Sequence, residues 1–212
     1  MEWCGHRLGS PVTTVLFEVS QLSRVLALRL VDGREVVIKA RPWEDRVLAC
    51  SIVQQSLADQ GFPAPRPLMT PEKFRGHVVS AEEYRPGGQP LSDSPDSALL
   101  VAGLLARLVA LTPVVSGVDA LIGSSPPWVG WDHPGAALWP ARDTPGPPLV
   151  AGTGPAWIDK VGAAVREALT GLEFPLVLGH GDWEAHNLSW SERRPYAVHD
   201  WDSLKSRPNT LS

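Results

Sequence analysis

The segment from Leu176 to Asp202 leaves this chain the least conformational freedom. An apolar run, Leu176-Val177-Leu178, reads as a short buried strand and opens into Gly179-His180-Gly181-Asp182. Asn187 follows Asp182 after four residues, and a turn over 191–194 sends the chain back along Tyr196-Ala197-Val198 to Asp200. Strand, short loop and hairpin in this order bring Asp182, Asn187 and Asp200 to one rim. A carboxylate there can accept the proton of an attacking hydroxyl. An amide oxygen and a second carboxylate form a hard oxygen pair of the kind magnesium takes together with phosphate oxygens and water. Such a rim needs a folded scaffold. With 43% hydrophobic and 20% charged residues, the 212-residue chain has the composition of one, which excludes wholesale disorder.

Upstream, the first forty residues read as strands. Val12 to Val19 is rich in β-branched residues, and Arg24 to Val31 alternates with a period near two. Asp32-Gly33 predicts a hairpin turn into a third strand, Glu35 to Lys39. A helix follows over about 44–60, with Ala49, Cys50, Val53 and Leu57 on one face, stopped by Gly61 and Pro63. His77 to Tyr84 predicts another strand, closed by Arg85-Pro86-Gly87-Gly88. The pattern divides the chain into an antiparallel-sheet unit with one helix (1–84), a crossing segment (85–88) and a mainly helical unit carrying the rim (89–212).

In that second unit Ser94, Pro95 and Asp96 open a long apolar helix over about 98–115. It is too short to span a bilayer, and Arg107 at its centre would cost about 2.5–3.5 kcal/mol there. From Pro113 to Pro155 nine prolines and seven glycines surround Trp128, Trp131 and Trp139, which predicts a packed irregular segment. Ala156 to Leu172 returns to helix, with Ile158, Val161, Val165, Leu169 and Leu172 in one stripe. Cys4 and Cys50 are too few for a disulfide framework and read as small apolar residues in a reducing compartment. The first residues lack a basic stretch followed by an apolar one, so no export signal is read and a cytoplasmic location is expected. A net charge of −4 argues against a nucleic-acid partner.

Four elements now stand in order: the strand Val36-Val37-Ile38-Lys39, the crossing segment Glu83-Tyr84-Arg85-Pro86-Gly87-Gly88, the loop His180-x-Asp182-x-x-x-x-Asn187, and Asp200-Trp201-Asp202. A strand lysine that holds phosphates, backbone groups that pair with a base and a loop with base and metal ligands together point to phosphoryl transfer. With His180-Gly181-Asp182 in place of His-Arg-Asp and Asp200-Trp201-Asp202 in place of Asp-Phe-Gly, the chain resembles the aminoglycoside phosphotransferase and choline-kinase-like group of small-molecule kinases. The resemblance runs from about Leu8 to Leu204. It implies an α+β, bilobal protein-kinase-like fold that binds ATP or GTP with Mg²⁺ between its lobes and phosphorylates a hydroxyl of a small molecule. Carried over by position, Asp182 is the catalytic base, Asn187 and Asp200 hold the metal, and Lys39, Glu83 and Arg85 bind the nucleotide. Asp202 matches the motif without an assigned role.

Three departures accompany the resemblance. The helix over 44–60 has no central glutamate to pair Lys39; Gln54 and Gln55 are the nearest polar residues, and either would hydrogen-bond the lysine without neutralising it. In place of a glycine-rich loop, Gly9-Ser10-Pro11-Val12-Thr13-Thr14 is the candidate cover for the phosphates. The chain stops ten residues after Asp202 in a polar, loop-like stretch, where members of the group continue through further helices, so a fragment that keeps its nucleotide residues is expected. Two alternatives stand beside the kinase: an inactive nucleotide-binding remnant, and a zinc hydrolase built on His180, Asp182, His186, His199 and Asp200. His180 is expected to be structural, Trp183, Trp190 and Trp201 to pack the hairpin, and Glu184 and His186 to meet solvent or acceptor. Acceptor identity and oligomeric state are not legible.

Overall fold

A computed structural model describes residues 2–20, 23–42, 44, 46–112, 137–139, 150–169 and 176–208. Strands β1 (Val12–Ser20), β2 (Arg24–Leu30), β3 (Glu35–Pro42), β4 (Glu72–Phe74) and β5 (His77–Glu83) form an antiparallel sheet in the order β1-β2-β3-β5-β4. The β2–β3 turn forms where Asp32-Gly33 requires it. Gly33 takes φ +86°, and the Arg34 N–H donates to Asp32 Oδ1 at 3.1 Å.

Strict alternation gives this sheet two different faces. Leu28, Leu30, Val36, Ile38, Val79 and Ala81 bury one face against Cys4 and Leu8 of helix α1 (Glu2–Leu8). That helix is an addition to the pattern predicted, because seven residues carry too little periodicity to announce themselves. On the other face stand Val37, Lys39 and Arg41 of β3 and Ser80 and Glu82 of β5, with Val37 opposite Glu82 and Lys39 opposite Ser80.

Helix α2 (Arg46–Asp59) does not add its predicted apolar face to the cluster around α1. Ala49, Cys50, Val53 and Leu57 instead join a core with Leu104 and Leu108 of α3 (Pro95–Leu111) and with Leu178, Trp190 and Trp201. Ser94 caps α3, accepting from the Ser97 N–H at 3.1 Å, with Pro95 in the first turn. Helix α4 (Ala156–Leu169) is held by Trp139, whose Nε1 donates to Asp159 Oδ1 at 2.8 Å while its ring lies over Gly162. Trp128, Trp131 and Leu172 lie outside the described residues. No described helix is long and apolar enough to cross a membrane.

Two small antiparallel pairs carry the rim. Strand β6 (Leu176–His180) pairs with β9 (Leu204–Pro208), and β7 (Leu188–Ser191) pairs with β8 (Arg194–Val198). The ending from Ser206, expected to be loop-like, is a strand as far as Pro208, because β6 offers β9 an open edge over five residues, from Leu176↔Pro208 to His180↔Leu204. Gly181 closes this pair: its N–H donates to the Ser203 carbonyl at 2.8 Å, and a Cβ at this position would stand 2.5 Å from that oxygen. Gly181→Ala should accordingly cost about 1–3 kcal/mol in urea unfolding, the range for forced overpacking. An unchanged unfolding midpoint would contradict this register.

Candidate active site

The loop after β6 is built around one mutual contact. A 3₁₀ turn over Ala185–Asn187 carries Asn187 back toward Asp182, and the Asn187 Nδ2 donates to both the Asp182 carbonyl at 3.0 Å and Asp182 Oδ2 at 2.9 Å. Asn187 is 5% exposed, and its own carbonyl accepts from the His199 N–H at 2.9 Å, which ties the loop to the end of β8. Using its nitrogen in this way leaves the Asn187 amide oxygen as the atom able to meet a cation.

His180 holds the same loop from beneath, as expected of a structural residue. Its Nε2 donates to the His199 carbonyl at 2.8 Å, so Nδ1 is the acceptor and takes the Asp182 N–H at 3.3 Å. Burial keeps the ring's pKa below its ordinary value, in keeping with a neutral imidazole that donates from one side and accepts on the other. Both nitrogens are spent, so the five-residue zinc cluster does not assemble around His180. Among the described residues the metal-type ligand atoms that do converge belong to Asp182, Glu184 and His186, with His186 64% exposed.

Asp200 follows β8 in the left-handed conformation, φ +64° and ψ +48°, which aspartate tolerates better than most residues. Trp201 pins it there. The indole is 2% exposed, donates to the Val198 carbonyl at 2.8 Å and meets Phe62 and His180 edge-on, at 5.9 and 5.5 Å. Asp202, two residues on, pairs with Arg41 and stays close enough to Asp200 for the two charges to act on each other.

The sheet supplies the opposite wall. Lys39 Nζ lies 3.2 Å from Glu82 Oε1 and 3.9 Å from Asp200 Oδ1. Between the walls opens a cleft of about 220 Å³, with Phe17 and Val25 on the sheet side, Tyr84 and Arg85 along the crossing segment, and Asn187 and Asp200 opposite. Lys39, Asn187 and Asp200 thus meet on one cleft, beside Asp182. The Glu83 carboxylate accepts from the Arg66 N–H at 3.3 Å and faces Arg85 at 3.5 Å, while Arg85 also reaches the Tyr196 carbonyl at 3.5 Å. Both residues border the cleft, but the Tyr84 N–H is already bonded to the Glu35 carbonyl at 3.1 Å.

Two expectations about the sheet need correction. Gly9–Thr14 does not cover this cleft near the lysine: Val12 pairs with Leu30, whereas Lys39 pairs with Val25, so the Ser20 end of β1 and the Arg24 end of β2 are the ones beside the lysine. Ser10 is buried and its Oγ accepts from the Asp32 N–H at 3.1 Å, a turn contact rather than a phosphate one. Gln54 does not bond Lys39; its Nε2 donates to Glu82 Oε2 at 2.8 Å and to the Pro65 carbonyl at 2.7 Å. Glu82 and Arg41 were not singled out in the sequence. Alternation along β3 and β5 is the signal that places both on the lysine's face.

The two carboxylates beside Trp201 titrate apart. Burial, with the neighbouring charge of Asp202, pushes Asp200 up to about 6. Burial acts on Asp202 in the same direction, but the charges of Arg41 and Lys39 outweigh it and hold that group down at about 2. Lys39 is also buried, which alone would lower it, yet Glu82, Asp202 and Asp200 together keep its pKa above the ordinary value.

The sequence over residues 14–208 matches the phosphotransferase enzyme family, and the chain belongs to that family. No curated protein matches the sequence. Among solved structures, the amicoumacin kinase hAmiN in complex with AMP-PNP, Ca²⁺ and Ami is similar at a TM-score of 0.66 and 12% identity, over 94% of this chain and 62% of that one. A thermostable mutant of aminoglycoside phosphotransferase APH(4)-Ia, in a ternary complex with AMP-PNP and hygromycin B, is similar at a TM-score of 0.53 and 19% identity, over 96% and 70%. An aminoglycoside phosphotransferase from Alicyclobacillus acidocaldarius follows at 0.53 and 15%, over 96% and 67%. These are bilobal, kinase-like α+β folds, and this chain shares their architecture while spanning 62% of the length of the first.

The raised Asp200 pKa has a signature in the metal-free protein. An aspartate held near 6 in the folded state and near its ordinary 3.8 unfolded contributes stability when protonated. That contribution is complete below about 4 and lost as pH rises through about 6, a window that the low-titrating Asp202 does not enter. Unfolding free energies of wild type and Asp200→Asn, measured by urea from pH 4 to 7 without divalent ions, should therefore converge at low pH, with the variant the more stable of the two at pH 7. Parallel profiles would contradict the assignment.

Proposed function

We propose that the protein transfers the γ-phosphoryl group of ATP or GTP to a hydroxyl of a small molecule, with Asp182 as the base. One observation carries this reading: Asp182 is locked to Asn187, which lines the same cleft that Lys39 enters from the sheet and Asp200 from the loop after β8. Lys39 would contact the α- and β-phosphates, and the backbone of residues 83–85, flanked by Glu83 and Arg85, would take the nucleobase. Asn187 Oδ1 and the Asp200 carboxylate suit Mg²⁺, which when bound offsets charge on the phosphates. As the acceptor oxygen bonds to the γ-phosphorus, its proton passes to Asp182, and the bond to the bridging oxygen breaks to leave the nucleoside diphosphate.

The neighbours' ligands support this choice: AMP-PNP with Ca²⁺ and Ami in one, and AMP-PNP or ADP with hygromycin B in others. Asp182 and the exposed Glu184 make the loop's outer edge acidic, which favours an acceptor carrying amines. The test is nucleoside diphosphate release with ATP and with GTP across a panel of aminoglycosides and amino alcohols. At least one acceptor should raise the rate, and Asp182→Asn should lower kcat by about 10²–10⁴-fold with the nucleotide KM little changed. Retention of most turnover in that variant would remove Asp182 from the mechanism. Nucleotide binding without any acceptor-dependent release would leave an inactive nucleotide-binding protein.

A further inference from the structure

We infer that Glu82 of β5 is the residue that positions Lys39 and holds it off Asp200, and that Gln54 braces this pair against the core beneath the catalytic loop. This rests on the reading of Lys39 as the phosphate-binding lysine. Lys39 and Glu82 have side chains only 12% exposed, and their ion pair at 3.2 Å is shorter than the lysine's contact with Asp200. A buried ammonium must be paired, so removing its partner forces it toward the next charge available. Asp202 also acts on Lys39 but is held by Arg41, so that charge is Asp200, at 3.9 Å.

The strand, not the helix, sets the pairing. Val37 and Glu82 stand opposite each other in the β3–β5 ladder, which directs Glu82 to the face of Lys39 and one diagonal step from it. Ladder register therefore fixes the distance wherever α2 lies. The helix contributes a neutral contact: Gln54, 5% exposed, donates one amide hydrogen to Glu82 Oε2 at 2.8 Å and the other to the Pro65 carbonyl at 2.7 Å. Both hydrogens are used, so the amide is fixed in orientation and cannot serve the lysine as well. Beside it, Val53, and one turn either side, Cys50 and Leu57, are buried with Trp190 and Trp201, the core on which Asp200 and the hairpin rest. Gln54 thus links the lysine's wall of the cleft to the wall that bears the acids.

The consequence is a division of labour. With Glu82 in place, Lys39 keeps its charge and its aim while the Asp200 carboxylate, half exposed, stays open to a cation. Without it, lysine and cation compete for one carboxylate. Glu82 is a positioning residue by this account, and its loss has a phosphate-specific and Mg²⁺-specific signature that general destabilisation lacks.

Glu82→Gln preserves shape and removes the charge. Calorimetric titration with ATP, ADP and adenosine should find affinity for ATP and ADP lowered about tenfold or more, adenosine within about twofold of wild type, and a higher Mg²⁺ requirement for ATP. Gln54→Leu should move the same quantities in the same direction by less. In the Lys39→Met background Glu82→Gln should cause no further loss of ATP affinity. Equal losses for ATP and adenosine, or additive losses in the double variant, would overturn the proposal. If folded wild type bound no nucleotide, the phosphotransferase reading would fall instead. The pair is then judged without ligand: non-additive melting temperatures among Lys39→Met, Glu82→Gln and the double variant uphold it, and additive ones dismiss it.

Discussion

Burial of Trp201 is the constraint on which the cleft depends. The indole lies between two aspartates in sequence, and its burial holds Asp200 on the cleft and Asp202 against Arg41, with the two carboxylates still neighbours. An aspartate in the left-handed region gives up about 1–2 kcal/mol relative to a residue in the right-handed one. Trp201 offsets such a cost with a fully buried ring, a hydrogen bond to the Val198 carbonyl and edge contacts to Phe62 and His180. The same side chain belongs to the core that receives α2, α3 and both small strand pairs, so the segment that bears Asp200 and the core meet at one residue.

Charge is arranged with comparable economy. Strand β3 presents two cations, Lys39 and Arg41, from one face, and the structure answers each with a carboxylate from a different element, Glu82 of β5 and Asp202 after β8. Lys39 and Arg41 are both largely buried, where an unanswered charge is costly. Asp200 is the carboxylate left over. Burial and the neighbouring charge of Asp202 raise its pKa, and Lys39, at 3.9 Å, only partly opposes them.

Much of this was legible before any coordinates. Alternation and Asp32-Gly33 specify β2 and β3, and the spacing of Asp182, Asn187 and Asp200 specifies a rim whose members do come together. The failures have physical causes. Helix α1 is too short to show a period, and β9 is a polar stretch whose conformation comes from the waiting edge of β6 rather than from its own residues. The apolar face of α2 is legible, but a hydrophobic stripe does not say which core it will join, and here it joins α3 and Trp201. Gly9–Thr14 looked like a phosphate loop because composition cannot tell the two ends of a sheet apart; the β1–β2 register does. Glu82 was hidden for a similar reason, since its partner is 43 residues away and only strand pairing joins them.

The central claim is that one cleft unites a phosphate-binding wall with a metal-binding one. Calorimetry of AMP-PNP binding to the purified chain, with and without Mg²⁺, tests it most directly. A single site whose affinity rises at least about tenfold with Mg²⁺, and which Asp200→Ala reduces to the metal-free value, is the result this account predicts. Binding indifferent to both Mg²⁺ and Asp200, or no binding by a folded protein, would contradict it.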